Sequence, residues 1–249
     1  MPPVIAPVPP SAHMTTALWD TTADPFDLLD YKFPIRGMDS VQSQTRKSKL
    51  YLLACAKRVP EALPWVLRTL IEVGEELIEA PAKYGDTYRQ DVRALAEEMA
   101  NTADPADALA GAERKLAKLN HFPPADGRDP VPPAKDWIGL AHLAAGTHAK
   151  LTPHYRYIPA ARHSVELLRE IFEPCGGGRI SFSPDWRTTP VLDLAEQMYD
   201  ENEFSRMPIL SDALLDAGCG LDSIVKHCRG AGEHVRGCWV LDMILRKPS

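Results

Sequence analysis

The chain has 249 residues, 45% hydrophobic and 25% charged, with a formal net charge of -6. That composition supplies a core of ordinary size, and the acidic balance argues against nonspecific nucleic-acid binding, which needs a basic surface. No run of about 18 apolar residues occurs, which excludes a membrane-spanning helix, and five cysteines leave one unpaired, which argues against a disulfide scaffold and fits reduced thiols in a cytoplasmic protein.

Residues 1–13, MPPVIAPVPPSAH, hold five prolines and no helical or strand period, so they read as a disordered extension. Asp24-Pro25 reads as a helix start with Asp as the cap, running to about Tyr31. TRKSKLYLLACAKRV (45–59) places Leu50, Leu53, Ala54 and Lys57 at helical spacing, with Arg46, Lys47 and Lys49 forming a solvated basic face. EALPWVLRTLIEVGEELIEA (61–80) is the clearest amphipathic helix, with Leu63, Val66, Leu67, Leu70, Ile71, Leu77 and Ile78 in one stripe. Residues 84–100 repeat the pattern through Tyr88, Val92, Leu95, Ala96 and Met99. Asp104-Pro105 opens another helix, charged and alanine-rich, to about Leu119.

Residues 120–134, NHFPPADGRDPVPPA, carry five prolines in fifteen residues. They read as a loop or linker between an N-terminal helical region, 14–119, and a C-terminal one, 135–249, unless 14–249 is one continuous domain. Beyond it we expect helices over 137–150 and 160–172, an irregular stretch over 175–189, and a helix over 190–201 capped by Thr189-Pro190. Met207-Pro208 opens a helix that Gly218 stops. Asp222 caps a short helix to about Cys228, RGAGE makes a turn, and a last helix runs from about His234 to Leu245. With no strand alternation, the chain reads as all-α, a bundle-like array of about ten helices with a compact C-terminal unit of short ones.

Three blocks resemble an uncharacterised helical family multiplied in planctomycete genomes. They are ADPFDLLDY with RKSKLYLLACAKRV, then ELLREIFEP with PDWRTTPVLDLAEQMYDENEF, and, most specific, RMPILSDALLDAGC followed by HCRGAGEHVRGCWVLDMIL. Together they cover roughly half the chain; the central region, 80–155, is unmatched. ACAKR and CGGGR depart from the family pattern. The resemblance implies a helical fold and a start near Met14, and assigns no activity.

The residues able to carry chemistry gather at the C-terminal end. Cys219, His227, Cys228, His234 and Cys238 are zinc-type donors, and zinc takes about four such ligands in a tetrahedron. His234 and Cys238, four apart, would share a face of a helix. The set matches no standard finger spacing, and core thiols with histidines at helix ends are the competing reading. Cys228 beside Arg229 is a candidate nucleophile, but its neighbour His227 would point about 100° away on a helix. Arg229 and Arg236 flank the RGAGE turn. They could contact an anion, or close helix carbonyls and bridge to Asp216, Asp222 or Asp242; Trp239 and Asp242 belong to the same structural group. The expectation is a noncatalytic interaction or regulatory module with a protein partner, no nucleic acid, no membrane and no cofactor. The alternatives are a zinc-binding protein and a cysteine-dependent hydrolase.

Overall fold

The computed structural model describes residues 16–21, 46–58, 64–102, 104–119, 121, 165–174 and 180–248. Among these the chain is all-α. The helices are α1 (Thr16–Thr21), α2 (Arg46–Lys57), α3 (Trp65–Glu79), α4 (Asp86–Asn101), α5 (Pro105–Lys118), α6 (Val165–Ile171), α7 (Thr189–Glu201), α8 (Met207–Asp216), α9 (Asp222–Arg229) and α10 (Trp239–Leu245). The expected extension at 1–13, the expected helices at 24–31 and 137–150, and the 120–134 stretch apart from His121 lie outside the described residues. No described helix is long and apolar enough to cross a membrane.

Several ends differ from the sequence reading, each for a local reason. α3 starts at Trp65, with Pro64 at φ -53 and ψ 151 as its cap residue. Residues 61–63 of the expected helix lie outside the described residues. Thr188 is the cap residue of α7 and Leu221 that of α9, so Thr189 and Asp222 are first helical residues, with no side-chain cap bond at either end. Asp104 behaves as expected: its carboxylate accepts from the backbone N–H groups of Ala106 and Asp107, a cap worth about 1 kcal/mol. Gly218 stops α8 at φ +86. The largest difference is at the end of the chain. Residues 234–238 are a turn, and α10 begins only at Trp239.

Two apolar cores result. The first gathers the inward faces of α2 to α6, from Tyr51 and Leu53 through Trp65, Leu95 and Leu116 to Leu168 and Ile171. The second gathers α7 to α10, from Val191 and Met198 through Leu214 and Ile224 to Trp239 and Leu241. Helix α6 therefore packs with helices that precede it by some fifty residues or more, against α2 above all.

The turn at 234–238 is where the two cores meet. Val235 packs on the first core while Cys238 is buried in the second. Gly237 sits between them at φ +93, where a Cβ would approach Leu50 Cδ1 to 3.0 Å, so glycine is required by both conformation and space. Its N–H donates to the Tyr199 hydroxyl at 3.3 Å.

Arg46 makes the second join. Its Nε donates to Glu79 at 2.8 Å, and its Nη1 and Nη2 donate to both oxygens of Asp242 at 2.7 and 3.0 Å. It also reaches the Tyr199 hydroxyl. Side chains of Arg46 and Lys47 are only 8% and 12% exposed, so the solvated basic face expected there is instead a buried ion cluster. Burial pulls the Arg46 pKa down, but the hydrogen bond and charge of Asp242 more than reverse that.

Candidate metal centre

Helix α6 is seven residues long, and all but Glu166 and Arg169 are buried. Glu170 falls inside that buried arc, 5% exposed, near the C-terminal end of the helix. Three residues of the C-terminal unit converge on it: His227 from the last turn of α9, His234 from the turn, and Cys238 just before α10. One donor atom from each of the four lies within 4.8 Å of all the others, a group that could hold a metal ion.

The contacts are those of a hydrogen-bonded cluster. Glu170 meets His234 Nδ1 at 3.0 and 3.1 Å, His227 Nε2 at 3.2 Å and the Val235 N–H at 3.4 Å. His227 Nε2 also lies 3.1 Å from Cys238 Sγ. Indole nitrogen can only donate, so the 3.0 Å contact between Trp239 Nε1 and His227 Nδ1 makes Nδ1 an acceptor. Burial pushes His227 down to about 4, outweighing the opposing pull of Glu170. A neutral His227 then carries its proton on Nε2, aimed at Glu170 and Cys238. His234 Nε2 is buried with no partner.

Of the five donors picked out in the sequence, the structure brings together His227, His234 and Cys238. Cys219 and Cys228 are buried in the second core, outside the group. Glu170 takes the remaining place. His234 and Cys238 do meet, though not through helical spacing, because 234–238 is not helix. The signal for Glu170 was available: in VELLREIF it lies three after Leu167 and next to Ile171, inside the apolar stripe.

The arginines have structural partners: Arg236 closes helix carbonyls as expected, while the acidic partners are not Asp216, Asp222 or Asp242. Arg229 pairs with Asp212 at 2.6 Å. Arg236 donates to the carbonyls of Tyr199 and Asp200 at the end of α7 and lies 3.5 Å from Glu75. Asp242 belongs to Arg46, and Trp239 to His227.

A nucleophilic cysteine finds little support. Cys228 and Cys238 are 0% exposed. Burial pushes the Cys228 thiol up to about 12 and the Cys238 thiol up as well, whereas thiol catalysis needs a depressed value and an approach path. Cys238 does contact an imidazole, but that imidazole is shifted toward neutrality too.

The donor set suits zinc better than calcium or magnesium, since two imidazoles and a thiolate are nitrogen and sulfur ligands. One carboxylate and one thiolate would offset a dication, leaving no net charge in the interior. Zinc bonds of roughly 2.0–2.3 Å put tetrahedral ligands about 3.3–3.8 Å apart, so the present 3.0–3.2 Å contacts would open by a few tenths. Four protein ligands would fill a tetrahedron, as in a structural site, whereas a catalytic site keeps one position open. One contact opposes an ion: a His227 bound through Nε2 must carry its proton on Nδ1, facing the Trp239 N–H. Losing that bond costs about 1–3 kcal/mol, against apparent binding energies of about 10–16 kcal/mol for structural zinc.

Comparison with family models, with curated proteins and with solved structures returns no match.

Proposed function

We propose that the protein is a noncatalytic helical module whose two cores are stapled together by a structural zinc ion held by Glu170, His227, His234 and Cys238. The observation that carries this reading is a 95%-buried carboxylate, Glu170 at 5% exposure, with two imidazoles and a thiol around it. No lysine or arginine among the described residues forms an ion pair with it. A buried anion without a cation costs several kcal/mol, and the surrounding donors are the ones a transition metal selects. Three of the four donors lie within one short stretch, HCRGAGEHVRGC, at 227–238. Burial of all three C-terminal thiols supports a binding role over a hydrolytic one, with a cytoplasmic protein partner as the ligand of the module.

Elemental analysis of the full chain, purified without added metal, tests the reading. One zinc per chain is expected, with occupancy lost in Glu170→Gln. A metal-free preparation whose melting temperature is indifferent to added zinc would overturn it.

A further inference from the structure

We propose that a cleft between α2, the 180–187 segment and the end of α10 binds a small oxyanion carried on a planar apolar group, such as an aryl phosphate or aryl carboxylate. The cleft holds about 460 Å³. Four cations line it, Lys47, Arg187, Arg246 and Lys247, between the aromatic walls of Phe182 and Trp239. Two carboxylates also face it, Glu173 and Asp242. Asp242 is already held by Arg46 through two hydrogen bonds, at 2.7 and 3.0 Å, and Glu173 acts on Lys47. Lys247 pairs with Glu79 at 3.3 Å.

That leaves Arg187 and Arg246, and neither forms an ion pair with any described residue. Arg187 donates through Nε and Nη2 to the carbonyls of Ile244 and Met243, at 3.0 and 2.7 Å, and its guanidinium lies 4.8 Å from the centre of the Phe182 ring. Those contacts fix the plane of a guanidinium that lines the cleft. Burial and then the charge of Arg246 both push the Arg187 pKa down. Two like charges therefore face one cleft in a chain whose net charge is -6.

Arg246 is also in the wrong place for its own backbone. It ends α10 at φ 54, the left-handed conformation that helix ends usually give to glycine or asparagine. Gly218 holds the equivalent position after α8. An arginine kept at such a position suggests that its side chain is wanted there. A guanidinium pair clamps a phosphate or carboxylate through paired N–H groups, and Phe182 in the cleft wall offers an aromatic surface for a planar group.

Isothermal titration of the zinc-loaded full chain with phenyl phosphate, benzoate and inorganic phosphate tests the site. Phenyl phosphate or benzoate is expected to bind measurably more tightly than inorganic phosphate, and their ratio tells which oxyanion the clamp prefers. Arg246→Gly should lower the affinity about tenfold while keeping or raising the melting temperature, because glycine accepts φ 54 without strain. Phe182→Leu should weaken phenyl phosphate and leave inorganic phosphate unchanged. Absence of binding by both aryl probes, or equal affinity in Arg246→Gly, overturns the proposal.

Discussion

Two buried polar clusters join the same two cores, and they are closed by different means. Around Asp242 and Glu79 the chain brings its own cation: the Arg46 guanidinium meets both carboxylates, and Lys47 and Lys247 add further charge. Around Glu170 it brings two histidines and a thiol, and no lysine or arginine among the described residues. The first cluster is complete in protein atoms. The second holds donors that an ion from solution could gather. The contrast shows that a buried carboxylate is informative through what neutralises it, not through its burial.

Stripping the ion should have the largest effect. If zinc closes the second cluster, a strong chelator should lower stability by more than any single substitution in the first, since structural sites contribute on the order of 10 kcal/mol. Calorimetry with and without chelator measures this, and a small shift would make the two clusters alike.

Arg46→Ala comes next. It takes the guanidinium from buried Asp242 and Glu79 and leaves them only the longer Lys47 and Lys247 pairs, a loss of about 3–5 kcal/mol, or a fall of roughly 10 °C in melting temperature for a chain of this size. Chelation should add to that loss without enlarging it, because the clusters share no residue. A clear departure from additivity in a double-perturbation cycle would show that they act as one.

Trp239→Phe sharpens the comparison. It removes packing from both forms, but it removes the His227 bond only from the metal-free form. Zinc affinity should therefore rise, by up to about tenfold, measured by competition with a chelating dye. Unchanged affinity would mean that Trp239 does not oppose the ion. The smallest effect is expected at Arg229→Ala. Its pair with Asp212 is exposed on both sides, 50% and 68%, so denaturant melts should move by no more than about 0.5 kcal/mol.

Much of the fold was legible because it rests on local rules. Helical spacing located α2 to α5 and α7 to α9, and the Asp104 cap was readable from two adjacent letters. The misses occur where a distant partner decides. Arg46 and Lys47 look like a solvated face until Asp242, 196 positions away from Arg46, is placed against them. Glu170 looks like one more helical acid until His234 arrives from 64 positions further on. His234 and Cys238 were paired for a helical reason that does not hold. A turn made possible by Gly237 at φ +93 brings them together instead. The choice among the three C-terminal thiols could not come from spacing, since Cys219 and Cys228 differ from Cys238 only in the direction that packing gives them.

Cobalt substitution tests the central claim most directly, because Co²⁺ takes zinc's place and reports its own ligands. The metal-free chain titrated with Co²⁺ should show the intense visible bands of a four-coordinate site, with a near-ultraviolet thiolate transition. Both should survive Cys219→Ser and Cys228→Ser, and the thiolate transition should vanish in Cys238→Ser. No uptake, or a thiolate band that persists without Cys238, would contradict the account.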